Sequence, residues 1–252
     1  MEPLIDEAWR LYSQTLIQCI VRPSIPILYF GDYNRYTASP LKIITVALNP
    51  SHHEFPDTDR FERFRPAEGI DARPSDAPTR AAYLSALGGY FGRVPYMRWF
   101  GWFEQVLIGL GASYRNGQEN TALHTDLCSP LATDPTWSRL DGRRDRLAVD
   151  GMALWHSLVE HLTPDVIVIS VARQYRDQIN FADHLDWRPL VTIPRADPAR
   201  RPYQALIQRT RLASGKETLL VFGPAAQQPF ATLRQEDRQN VGRAVRETIH
   251  AR

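Results

Sequence analysis

The chain has 252 residues, 43% of them hydrophobic, and a formal charge of +2. That is enough apolar material for one full core and too little net charge to argue for nucleic-acid binding from the total. Two cysteines, Cys19 and Cys128, exclude a disulfide framework and a zinc site built of thiolates.

The same cysteine count suits a reducing, cytoplasmic setting. The start Met1-Glu-Pro-Leu-Ile-Asp-Glu7 lacks a basic n-region and an apolar h-region, and no stretch reaches the roughly 18 apolar residues of a membrane span. We therefore expect one domain over residues 1–252, monomeric, neither exported nor anchored in a membrane.

In chain order, Ile5, Trp9, Tyr12, Leu16 and Ile20 recur at spacings of four and three, which predicts an amphipathic helix over residues 3–20. Leu41-Lys-Ile-Ile-Thr-Val-Ala-Leu48 is a near-continuous apolar run and predicts a buried, parallel strand. It stops at Asn49-Pro50, and ligands in open α/β sheets bind beyond the carboxyl ends of strands. Residues 55–80, with Pro56, Pro66, Pro74 and Pro78 among many charges, read as a loop lobe beside that strand end.

Trp99, Phe103, Val106, Leu107 and Leu110 predict a helix that stops near Gly109 and Gly111. Thr121-Ala-Leu-His-Thr-Asp-Leu-Cys128 is a short strand ending in polar residues. Leu147, Leu154, Leu158 and Leu162 form a helical stripe, Pro164–Ser170 a third buried strand, and Thr218–Phe222 a fourth, with Leu190–Ile193 as a candidate fifth. Val241, Ala244, Val245 and Ile249 close the chain on a helix. Strands alternating with helices predict a three-layer α/β/α fold around a central, mainly parallel sheet of four to five strands.

Basic residues are clustered. From Arg195 to Lys216 six of them, including Arg200 and Arg201, face one acid, Asp197, and Arg143, Arg144 and Arg146 surround Asp145. Such clusters suit a phosphate backbone; a solvated arginine-rich surface is the competing reading.

The four strand ends read Ala47-Leu-Asn-Pro-Ser51, Leu123-His-Thr-Asp-Leu-Cys-Ser-Pro130, Ser170-Val-Ala-Arg-Gln-Tyr175 and Val221-Phe-Gly-Pro-Ala225. In that order they resemble the uracil-DNA glycosylase superfamily over residues 41–235. The resemblance implies that Asn49 holds a water against the anomeric carbon, as an amide carbonyl can by accepting a hydrogen bond. It places His124 where the superfamily carries the asparagine that reads the base edge. Imidazole cannot reproduce the amide's pattern for uracil, so His124 is expected to read another base or stabilise the departing one, with Asp126 beside it.

The resemblance further implies a phenylalanine about a dozen residues on, stacking on a flipped base; Phe61 and Phe64 fit, and core packing is the alternative for each. Where the superfamily has His-Pro-Ser near the C-terminus, this chain has Gly223-Pro-Ala225, so the expected acid is absent there and His52 or His53 becomes a substitute. Gln227, Gln228 and Phe230 become a candidate wedge in the duplex, with the two glutamines in contact with DNA alongside Arg195, Arg200 and Arg201. His52, His53, His124 and Asp126 could in principle ligate a metal; we expect no metal and no cofactor.

The resulting expectation is a monofunctional DNA glycosylase excising a modified pyrimidine, with hydroxymethylated or glucosylated cytosine of phage DNA as one candidate and uracil as another. The alternatives are a nucleotide or single-strand binding protein without turnover, and a hydrolase of free nucleosides.

Overall fold

A computed structural model describes residues 1–181, 183–195, 199 and 201–251 of the chain. It resolves into two compact units. One comprises Met1–Tyr33, Leu48–Tyr96 and Leu123–Leu162, the other Asn34–Ala47, Met97–Ala122 and Thr163–Arg252. The elements in chain order are α1 (Glu2–Gln14), α2 (Tyr33–Ala38), β1 (Ile43–Ala47), α3 (Ala77–Gly88), α4 (Met97–Leu110), β2 (Ala112–Ser113), β3 (Asn120–Asp126), α5 (Arg143–Leu162), β4 (Val166–Ile169), α6 (Arg173–Arg176), β5 (Asp183–His184), β6 (Arg188–Ile193), β7 (Tyr203–Arg211), β8 (Glu217–Phe222) and α7 (Gln235–His250).

The fold is α/β, a mixed and mostly parallel central sheet flanked by helices, as a three-layer arrangement requires. Strand order is β2-β3-β1-β4-β8-β7-β5, with β6 also paired to β7. The pairs β1–β4, β4–β8 and β2–β3 are parallel, whereas β7 runs antiparallel to β8, β6 and β5. Every residue of β1 and β4 is buried, as expected for central strands covered on both faces. The sheet is larger than expected, eight strands among the described residues. The additions are β2, parallel to β3, and β5 and β7, which join the expected Leu190–Ile193 strand, β6, in an antiparallel wing; in β7 Tyr203, Ala205 and Ile207 are buried while Gln204 and Arg211 are exposed.

In the first unit, α1 has Pro3 in its first turn, where a missing N–H costs nothing, and buries Ile5, Ala8, Trp9, Leu11 and Tyr12. It ends at Gln14, earlier than the predicted residue 20, and leaves Leu16 89% exposed. α5 contacts α1 and buries Leu147, Leu154, Trp155, Leu158, Val159 and Leu162. The 55–80 lobe is more ordered than a loop. Phe55, Phe61, Phe64 and Ala67 are buried, Arg65–Ala67 form a 3-10 turn, and α3 starts at Ala77, capped by Asp76, whose carboxylate accepts from the Thr79 N–H at 2.8 Å.

In the second unit, α4 and α7 cross through glycines. A methyl on Gly242 would land on the Val106 carbonyl, and one on Gly109 on that of Gln239. Bare Cα atoms at both points let the two backbones touch. Gly242→Ala is expected to cost about 1–3 kcal/mol through forced separation of the helices, read as a lowered midpoint in urea; an unchanged midpoint would contradict this account of the crossing.

Among the described residues no helix is long and apolar enough to cross a membrane.

Candidate functional site

β1 delivers the chain to Asn49, and the segment after it is laced to residues 128–133. The Cys128 N–H donates to the Leu48 carbonyl at 2.8 Å, the Thr133 N–H to Pro50 at 3.2 Å, and the His52 N–H to Thr133 at 3.0 Å. Within this frame the half-buried Asn49 amide donates from Nδ2 to the Pro50 carbonyl at 2.6 Å and to Thr133 Oγ1 at 2.9 Å. A carbonyl accepts and never donates, so the amide's orientation is settled by its partner. Both amide hydrogens are spent, and Oδ1 is left as an acceptor on the opposite side.

Two residues later the chain turns through a 3-10 helix, His52–Glu54, with the Ser51 hydroxyl accepting from the His53 N–H at 3.3 Å. The imidazoles of His52 and His53 lie 4.1 Å apart, and the Tyr96 ring lies 4.9 Å from His53. His52 Nδ1 is 3.5 Å from Asp134 Oδ1. These four residues line a cleft of about 470 Å³ together with Val21, Arg22, Phe55, Arg60 and Arg63. Asn49 is not among the residues lining it.

His124 and Asp126 are two apart on β3 and so share a face. Their side chains are 2% and 3% exposed, with Nε2 3.6 Å from Oδ1. The backbone of His124 pairs with Phe30, N to O at 2.9 and 3.0 Å, and the two rings are 5.6 Å apart. His124 is therefore an interior group, with no face open to a ligand in this conformation.

Phe64 is fully buried, stacked on Phe55 at 5.1 Å and 5.3 Å from Tyr90; Phe61 meets Phe55 edge-on at 6.0 Å. Both phenylalanines nominated as base-stacking platforms thus belong to an aromatic cluster inside the first unit.

That cluster encloses a group the sequence reading passed over. Glu54 is 4% exposed and accepts a 2.5 Å hydrogen bond from the Tyr90 hydroxyl, which in turn accepts from the Tyr96 N–H at 3.0 Å. Burial pushes the Glu54 carboxyl up to about 7, against the opposing pull of the Tyr90 hydrogen bond and of Arg63, with Asp126 adding to the rise. Nothing in sequence spacing links Glu54 to Tyr90; only the fold does. Cys128 is buried, and burial lifts its thiol well above the usual range, as for a packing residue rather than a nucleophile.

The remaining candidates stand in the second unit. Arg195 lies over the Tyr203 ring at 5.4 Å and hydrogen-bonds Thr232, while Arg201 is exposed. Arg200 lies outside the described residues. Gln227 is exposed and Gln228 half-buried, in the loop after β8, whereas Phe230, expected with them as a wedge, is fully buried and packs edge-on against Phe103. Ser170 Oγ donates to the Gly223 carbonyl and accepts from the Phe230 N–H, both at 2.8 Å, and so ties the two ends of that loop. At Gly223 any side chain would run into the Phe230 ring and the Tyr203 hydroxyl. No histidine could replace Gly223 without displacing Phe230.

Among the described residues no group of three or more His, Cys, Asp or Glu side chains could hold a metal ion. Comparison with protein-family models and with curated proteins gives no match for this chain.

Proposed function

We propose that the chain is a monofunctional DNA glycosylase that hydrolyses the N-glycosidic bond of a flipped, modified pyrimidine and leaves an abasic site. The observation that carries this reading is the Asn49 amide, whose two hydrogens are held by Pro50 and Thr133 while Oδ1 remains an acceptor. An amide cannot take a proton near neutral pH, but it can orient a water by accepting its hydrogen bond. That suffices when the glycosidic bond is largely broken before water adds, because an oxocarbenium-like sugar needs placement of the nucleophile more than its activation.

The departing base carries negative charge, and a group must meet it. His124 is sealed from solvent and Gly223 has no room for a side chain. The reading therefore gives this role to His53 on the cleft wall, with His52 beside it. Asp126 remains the interior partner of His124. Arg195, Arg201, Gln227 and Gln228 are proposed as DNA contacts, and no lysine is assigned a Schiff-base role. The chemistry needs no cofactor, and a reducing cytoplasm remains the proposed setting.

The test is incubation with duplexes containing uracil, hydroxymethylcytosine or glucosylated hydroxymethylcytosine, followed by alkali. Strand scission at one modified position is expected. Retained binding without scission on any substrate would replace this reading by a binding protein that uses the same fold without turnover, which the crowding at Gly223 specifically favours.

A further inference from the structure

We propose that the cleft of the first unit is a nucleotide-phosphate subsite, with the phosphate on Arg22, Arg60, Arg63 and His52 and the base against the His53 and Tyr96 rings. The inference deepens the excision reading and rests on it for the place of that phosphate in a DNA strand. Its volume, about 470 Å³, is in the range of small-ligand sites.

Charge across the cleft is graded. The two lining carboxylates, Asp57 and Asp134, are on the rim with side chains 89% and 69% exposed, whereas Arg60 and Arg63 are 32% and 12% exposed. An anion entering past the rim meets guanidinium groups. Arg22 is held by neutral partners, the carbonyls of Tyr12 and Thr15 and the face of the Tyr12 ring at 4.1 Å. None of these cancels its charge.

Arg60 donates to the Phe55 carbonyl at 2.7 Å and pairs with Asp57 at 2.5 Å, which fixes its fork at the cleft wall. Arg63 pairs with Glu62 through Nη1 at 2.6 Å. Its Nε is buried without a hydrogen-bond partner, and so is Nδ1 of His52, whose nearest acceptor, Asp134 Oδ1 on the rim, stands 3.5 Å away. Unsatisfied polar atoms are rare in folded proteins and call for a partner. Two of them on one basic cleft point to an anion that accepts from both after a small turn of the side chains.

Selectivity for a nucleotide over a bare anion comes from the ring shelf. His53 and Tyr96 are inclined by 34° at 4.9 Å and offer aromatic surface of the kind on which bases stack. The Tyr96 backbone N–H is tied to the Tyr90 hydroxyl, and the half-buried side chain lines the cleft beside His53.

The test is calorimetric titration of the full chain with dUMP, deoxyuridine and inorganic phosphate. Charge-assisted hydrogen bonds predict dUMP binding about tenfold or more tighter than deoxyuridine. Arg22→Gln is expected to erase that preference, and Tyr96→Ala to weaken both nucleoside and nucleotide while leaving inorganic phosphate unaffected. Should Arg22→Gln lose its fold by circular dichroism, Arg60→Gln asks the same question.

Equal affinity for dUMP and deoxyuridine overturns the site, as does a preference that survives loss of the arginine charge. A short single-stranded oligonucleotide is expected to displace dUMP; failure to do so overturns the place of this phosphate on a DNA strand. Base excision without phosphate preference would remove this site and leave the excision reading standing, and phosphate preference without excision would do the reverse.

Discussion

Asn49→Ala is expected to abolish base excision, by about 10²-fold or more in single-turnover rate, while leaving the fold and urea midpoint nearly unchanged. The size follows from orientation: loss of the group that holds a reacting atom in line costs that much even when nothing else moves. The fold should tolerate the change because Asn49 is half-buried and Pro50 and Thr133 keep their mutual backbone bond. Thr133→Val removes one of the two amide anchors, so the water loses placement but not its acceptor, and a loss of about tenfold in rate with an unchanged KM is expected. Excision that persists at full rate in Asn49→Ala would sink the mechanism.

Stability should fall as pH rises from about 4.5 to 7, and Glu54→Gln should abolish this contribution. An ordinary glutamate loses its proton near 4.5, whereas Glu54 in the folded chain holds it to about 7. Between these values the folded state binds more protons than the unfolded state, so rising pH favours unfolding, and above 7 the penalty is constant. The size is about 3 kcal/mol, at about 1.4 kcal/mol for each pH decade.

Glutamine has nearly the same shape and can accept from Tyr90 without a charge. The variant should therefore match the parent below pH 4.5 and exceed it above pH 7. Glu54→Ala leaves a cavity and strips the Tyr90 hydroxyl of its acceptor, and is expected to destabilise at every pH by about 1–3 kcal/mol or more. Urea midpoints at pH 5 and pH 8 measure both. A slope in Glu54→Gln equal to that of the parent would remove Glu54 as its source.

Apolar runs made the central strands readable. Ile43–Ala47, Val166–Ile169 and Leu219–Phe222 are hidden on both sides, so their sequences are apolar but for Thr45, whose hydroxyl hydrogen-bonds that of Tyr114. β7 was not read as a strand because Arg209, Arg211 and the glutamines broke the run; it lies where one face is half open, and alternation there was overlaid by charge. The first helix was read too long because Leu16 and Ile20 continue the spacing, yet the chain leaves the helix at Thr15 and carries Leu16 into solvent. α3 escaped notice among prolines, although Asp76 before Ala77-Pro78 is a helix-start signal.

At the site, the position of Asn49 at a strand end was visible in sequence, but its partner Thr133, 84 residues away, was not. Glu54 and Tyr90 were equally invisible as a pair, since a contact made by burial leaves no period to detect. His124 and Asp126 had a readable spacing, but spacing gives a shared face and does not say whether that face opens to a ligand.

Ser170 hangs both ends of the loop after β8 from one hydroxyl, with Gly223 on one side and Phe230 on the other. Pro224 and Ala225 are also held, by the Tyr203 hydroxyl and the Val171 carbonyl, so the stem reaches to Ala225 and the short tip beyond it carries the exposed Gln227. Such a loop behaves as an exchangeable cassette: its tip can be rewritten or lengthened without refolding the strands beneath, because closure is made at the stem. A chain built this way can change what it touches there by point substitutions that leave its hydrophobic interior untouched.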